Sequence, residues 1–186
     1  MTWTAIERFG AAAAPAELGL VQDFLMTAAA GTPRQPDLFD EQATAETWAE
    51  QALGPGDWSL DAGDLTALKH MRASVLGVIE ARDGLPTSST WHLPTSRLSI
   101  SLNTHGEVRP EPTGPPRQRI LGAVLLAVHD AQIRDTWRRL KACKNDTCRG
   151  IFYDLSNNNS RVWHNVKTCG NVENLRALRA RRKVAR

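Results

Sequence analysis

Cys143-Lys-Asn-Asp-Thr-Cys148 and, after fifteen intervening residues, His164-Asn-Val-Lys-Thr-Cys169 decide how the C-terminal part of this chain folds. The pattern C-x4-C-x15-H-x4-C holds all three cysteines of the 186 residues. Each close pair can offer two ligands from one tight turn, and the stretch between is long enough to fold back as a hairpin, which is what tetrahedral Zn²⁺ requires. An odd cysteine count argues against a disulfide framework, and the Met1 to Phe9 segment, with Glu7 and Arg8, does not read as a secretory leader. A cytoplasmic, reducing setting is therefore expected, where thiolates are available to metal. The expected centre is one structural zinc held by Cys143, Cys148, His164 and Cys169. With four protein ligands no position is left for water, so the metal holds a fold and does not hydrolyse a substrate.

Charge is distributed unevenly around this motif. From Arg134 to Arg186 there are 14 basic side chains against 4 acidic ones, a balance of +10, although the whole chain carries only +3. Residues 1–133 are thus acidic, at −7. A compact basic module beside an acidic domain suits a polyanion, most simply DNA or RNA; a solvated basic tail is the plainer reading. Asn171 reads as an N-cap and Val172 to Lys183 as a helix. On it Leu175, Leu178 and the stem of Arg182 share one stripe, and Arg176, Arg179 and Lys183 form a basic ridge beside it. Arg161, Lys167, Arg176, Arg179, Arg182 and Lys183 are the candidate nucleic-acid contacts.

These residues also carry a family resemblance. The ligands, with Phe152, Asp154, Ser156, Ser160, Arg161, Trp163 and Gly170-Asn171 in order between them, resemble the CGNR-type zinc finger of bacterial proteins. In that family the finger follows an N-terminal domain called ABATE, and Leu20-Val-Gln-Asp23-Phe24-Leu-Met-Thr27 is similar to its opening helix. The resemblance implies a stress-related transcription regulator with zinc in the finger and DNA as its target. Two departures stand out. His164 occupies a place where the family usually has cysteine, and Val172 replaces the name-giving arginine at the head of the ridge. Asn157, Asn159 and Val162 are also neutral where the family tends to be basic, which removes potential phosphate contacts.

The N-terminal part reads as a mainly helical α+β domain. Helices are expected over Glu17 to Ala30, over Glu41 to Leu53 with Asp40 as cap, over Asp64 to Asp83, and from Pro115-Pro116 through His129. Leu98, Ile100 and Leu102 alternate with Ser99, Ser101 and Asn103, and Thr104-His105-Gly106 makes a turn before Glu107 to Arg109, so a β-hairpin is expected there. The fold class is α+β with two parts: a domain at 1–133, for ligand sensing or dimerisation, and a basic finger of hairpin and helix at 134–186.

No catalytic constellation appears: there is no phosphate loop, no Gly-x-Ser-x-Gly elbow and no His-Glu-x-x-His pair, so no enzyme is expected. No apolar run approaches the roughly 20 residues of a membrane span. Asp23 lies in the first apolar helix and must be solvated, capped or paired. It is read either as a structural carboxylate or, with Phe24 and Thr27, as part of a ligand pocket that Trp48, Trp58 and Trp91 could line. The leading expectation is a DNA-binding transcriptional regulator, with a small-molecule effector and a homodimer open for the N-terminal domain. The alternative is a zinc-stabilised module that docks protein or RNA.

Overall fold

The computed structural model describes residues 3–31, 33–85, 95–145, 147–172 and 174–176. Five helices precede the finger or flank its hairpin: α1 (Thr4–Glu7), α2 (Leu18–Met26), α3 (Gln42–Leu53), α4 (Ala62–Arg82) and α5 (Pro116–Ile133). Two antiparallel pairs accompany them among the described residues, β1 (Leu98–Leu102) with β2 (Val108–Pro112) and β3 (Leu140–Ala142) with β4 (Ile151–Tyr153), together with a 3-10 turn at Trp137–Arg139 and a π-helical turn at Val166–Gly170. The architecture is α+β with a helical majority, as the sequence implies. Trp91, His92, Leu178, Arg179, Arg182 and Lys183 lie outside the described residues.

α2 is the centre of the molecule. Every residue from Leu18 to Met26 is buried, and the helix touches α1, α4, α5 and β4. Phe24 meets Phe39 and Trp48 at ring-centroid distances of 5.9 and 5.8 Å, and Phe39 meets Trp48 edge-on at 5.3 Å. This tilted packing is the preferred arrangement for aromatic quadrupoles. An apolar helix buried on all sides can carry polar residues only where each one is fully partnered.

Those partners are present for the residues read as a candidate pocket, Asp23, Phe24 and Thr27. The Asp23 carboxylate accepts the Ile6 N–H at 2.9 Å and the Trp48 indole N–H at 2.6 Å, so it caps the one-turn α1 and pins α3. Phe24 is core, and the Thr27 hydroxyl accepts from Arg72 at 2.7 Å while donating to the Phe24 carbonyl. None of the three borders either large cavity. Arg72, itself buried, forms an ion pair with Asp37 and lies over the Phe39 ring at 5.2 Å. Trp48 is likewise core, and Trp58 is half-buried beneath the Arg119 guanidinium.

Helix boundaries shift where caps compete. Asp61 and Asp64 form a reciprocal capping box, so α4 starts at Ala62 instead of Asp64. Asp40 does not cap α3; it receives Lys69 Nζ at 2.7 Å, and Glu41 takes the cap position without a side-chain bond. α1 was not expected, because four residues carry no readable period. β2 runs on through Pro110 and Pro112, two positions whose missing N–H is not needed by β1.

The hairpin β3–β4 shares the main core. Leu140, Ala142 and Ile151 are buried against it, and the buried Gln22 side chain on α2 donates to the Ile151 carbonyl at 3.3 Å while accepting the Ala14 N–H at 2.6 Å. Arg82, the last residue of α4, donates to the carbonyls of Trp137 and Leu140. The finger therefore grows out of a hairpin fixed to α2 and α4.

Burial pushes the Asp23 carboxyl up to about 6, with the Ile6, Trp48 and Ala5 donors pulling the other way. A folded-state value above the ordinary one means that the folded state holds the proton more tightly. Its stabilisation is complete below about pH 4 and is lost as pH rises through 6, a difference of roughly 3 kcal/mol at about 1.4 kcal/mol per unit. Urea unfolding from pH 4.5 to 7.5 should show this slope in the wild type and lose it in Asp23→Asn. Identical slopes in both proteins would contradict the assignment.

Candidate metal centre

The metal-ligating residues emerge from two turns held by their own hydrogen bonds. Cys143 follows β3, and its N–H donates to the Gly150 carbonyl at 2.9 Å, closing the loop that carries Cys148. Within that loop the buried Asn145 accepts at its side-chain oxygen from Thr147 N–H at 3.1 Å and Thr147 Oγ1 at 2.7 Å, and its carbonyl takes the Cys148 N–H at 2.9 Å. The Gly150 N–H then points at Cys148 Sγ, 3.3 Å away. A β-carbon at Gly150 would stand 3.2 Å from that sulfur, a tight approach that a side chain here could make only if the Cys148 sulfur gave way by a few tenths of an ångström.

The second turn is a π-helical one, Val166–Gly170. Asn165 caps it, accepting from the N–H groups of Lys167 at 2.9 Å and Thr168 at 3.3 Å. This displaces the expected cap: Asn171 is already helical, and its side chain donates back to the Lys167 carbonyl at 3.0 Å. Residues 171, 172 and 174–176 continue the helix.

Between the turns, the buried Asp154 organises the return loop. It accepts from Ser156 N–H at 2.8 Å, Ser156 Oγ at 2.6 Å, Arg161 N–H at 2.8 Å and Lys141 Nζ at 2.9 Å. Burial alone would raise this carboxyl, but the hydroxyl, ammonium and backbone donors outweigh it and hold it well below the usual carboxylate range. Residue type and motif position mark Asp154 in the sequence; its fourfold role was not readable there. Lys144 N–H then reaches the Val162 carbonyl at 2.9 Å and brings His164 over the first turn.

The result is the expected ligand set. Cys143, Cys148, His164 and Cys169 place their donor atoms within 4.8 Å of one another, with all three thiols buried and Trp163 packed against them. His164 Nδ1 lies 3.3 Å from Cys148 Sγ and 3.5 Å from Cys169 Sγ. With Zn–S near 2.3 Å and Zn–N near 2.0–2.1 Å, tetrahedral geometry puts such N···S edges at roughly 3.5 Å. The donors thus fit one zinc ion, which would tie β3–β4 to the π-helical turn.

Their protonation makes the same point. Hydrogen bonding from Cys148 pulls the Cys143 thiol down to about 4. Cys148 is pushed far up because its S–H donates a hydrogen bond to Cys143 and because it is buried, and Cys169 is raised by burial and then by the Cys143 charge. Three thiolates in one apolar pocket repel one another, and a divalent cation removes that cost.

The candidate nucleic-acid residues have different fates. Arg161 is spent on the finger itself: its guanidinium lies over Phe152 at 5.5 Å and donates to the His164 carbonyl at 2.9 Å. Arg139 donates to the carbonyls of Asp154 and Ser156, and the half-buried Lys141 pairs with the buried Asp154, so these cations also serve the fold. Lys167 and Arg176 are exposed, and the ridge beyond Arg176 lies outside the described residues.

A cavity of about 750 Å³ separates the metal site from the N-terminal segment, lined by Arg8, Phe9, Met26, His164, Lys167 and Leu175 among others. Arg8 Nη1 is buried without a hydrogen-bond partner. No described helix is long and apolar enough to cross a membrane.

Residues 139–182 match the CGNR zinc finger family model. A comparison with curated proteins finds no match.

Replacing His164 by alanine should weaken zinc far beyond the roughly 10–100-fold typical of losing an outer partner, and His164→Cys should restore it. Competition with a chromophoric chelator measures both. Wild-type zinc affinity in His164→Ala would remove this residue from the ligand set.

Proposed function

We propose that the chain is a DNA-binding transcriptional regulator, in which the zinc finger contacts DNA and an ABATE-like N-terminal domain responds to a small molecule. The observation that carries this reading is the charge segregation: a balance of +10 over Arg134 to Arg186, centred on a zinc-stabilised module. Cations held for the fold, Arg139, Lys141 and Arg161, contribute to the field but not as free phosphate donors. Direct contacts then fall to exposed side chains such as Lys144, Lys167 and Arg176, and to the basic residues that follow it in the sequence.

An effector site is supported by the cavity beside the metal centre, whose volume of about 750 Å³ is in the range typical of small-molecule sites. It joins the finger to the segment around Arg8 and Phe9. A ligand there would touch the loop of Cys148 and the turn of Cys169 together, and so could bias the presentation of the basic helix.

Selection and sequencing of genomic fragments bound by zinc-loaded protein tests the reading. A shared motif supports sequence reading, and no recovery transfers the weight to a protein- or RNA-docking module. The salt dependence adds a residue-level check. Val172→Arg should tighten binding and steepen the slope of log affinity against log salt by about 0.9, one phosphate's worth. Lys167→Glu with Arg176→Glu should flatten the slope at unchanged zinc content. A slope indifferent to all three substitutions would take this face out of the interface.

A further inference from the structure

The hairpin β1–β2 presents an apolar face to solvent. Ile100, Leu102 and Val108 are 71, 69 and 65 % exposed, and Leu98 is 43 % exposed. The hairpin is nonetheless anchored: Pro112 sits so close to α5 that a β-carbon at Gly122 would meet it at 2.7 Å. Three large side chains on one fixed face are more than the scattered apolar exposure normal for a soluble surface.

The hydrogen-bond register shows which edge can take a further strand. Thr113 N–H donates to the Arg97 carbonyl at 3.1 Å and Asn103 N–H to the Glu107 carbonyl at 3.0 Å. With Ile100 opposite Pro110, these bonds assign the bonded pairs to the odd-numbered residues of β1. The N–H and C=O groups of Leu98, Ile100 and Leu102 therefore point away from β2, and none of them pairs with another strand among the described residues. On the other side, Pro110 and Pro112 occupy the outward positions of β2 and leave that edge without two donors. Of the two edges of this hairpin β1 offers the open one among the described residues, and the strand has neither charge nor proline to protect it.

We infer that this edge joins two copies of the chain. Leu98-Ser-Ile-Ser-Leu102 reads the same in both directions, so an antiparallel pairing about a two-fold axis through Ile100 matches the strand with itself. Leu98 then faces Leu102 of the partner subunit, and Ile100 faces its own symmetry mate. Every outward N–H and C=O is used, giving about six main-chain hydrogen bonds across the axis. The same register sets the two apolar faces side by side as one four-stranded surface and places Ser99 against Ser101 of the partner subunit on the polar face. A self-matching edge selects a second copy over an unrelated strand. This holds whether or not the finger binds DNA.

Sedimentation velocity on the full-length, zinc-loaded protein between about 1 and 100 μM tests the inference, with these concentrations spanning ordinary dimer affinities. The wild type should sediment as a dimer. Ile100→Pro should be monomeric, its dissociation constant raised at least about 100-fold, because it removes a central donor pair. The substitution repeats on β1 what Pro110 does on β2, so zinc content and circular dichroism should be unchanged. If Ile100→Pro does not fold, Ile100→Lys, which brings two charges together at the axis, should give the same monomer. A wild type that is monomeric throughout, or a dimer that survives the folded variant, would overturn the inference.

Discussion

Crowding of like charge at a buried site is the constraint on which the finger depends. Three sulfurs and an imidazole nitrogen lie within 4.8 Å of one another in a setting that excludes water from the thiols. The Cys143 thiol is pulled down by its hydrogen bond from Cys148, while Cys148 and Cys169 are pushed up by burial and by the charge beside them, so the three do not ionise independently. A divalent cation converts that repulsion into the main cohesive term, because binding a metal that the unfolded chain cannot hold adds its free energy to folding. The turns around Asn145 and Asn165 satisfy the backbone locally, but by themselves they provide few apolar contacts to keep the two halves of the finger together.

The finger is not an appendage. Gln22 and Asp23, adjacent on the buried helix α2, bind in opposite directions: Gln22 to the Ile151 carbonyl of β4 and Asp23 to α1 and Trp48 of α3. Gly31 N–H also donates to the carbonyl of Cys148, a metal-ligating residue, at 2.9 Å. Leaving one such buried group unpaired costs about 1–3 kcal/mol. The polar residues of the central helix are thus the wiring between the acidic helical part and the metal centre, and the cavity beside Arg8 lies along that junction.

How much of this was legible in the sequence depended on whether the signal was local. The ligand set was readable because cysteines are few and their spacing matches tetrahedral geometry. α3, α4 and α5 were readable from period and from Gly and Pro punctuation, and β1 from strict alternation. α1 was not, since one turn has no period, and its cap comes from Asp23, remote in sequence. The role of Asp23 itself depended on the fold: a carboxylate in an apolar helix announces a partner but not whether the partner is a ligand or the protein's own amides. Arg161 shows the reverse case. Counted by charge it belonged to a nucleic-acid face, whereas its ring contact with Phe152 and its bond to the His164 carbonyl make it part of the finger's frame. Net charge records how many cations are present, and only the packing shows which are already engaged.

X-ray absorption at the zinc edge on the purified protein addresses the metal centre most directly. Three sulfurs near 2.3 Å and one nitrogen near 2.0–2.1 Å, with no oxygen in the coordination shell, is the expected result for a closed site built from Cys143, Cys148, His164 and Cys169. A shell with two sulfurs, or with an oxygen in place of the imidazole nitrogen, would contradict it.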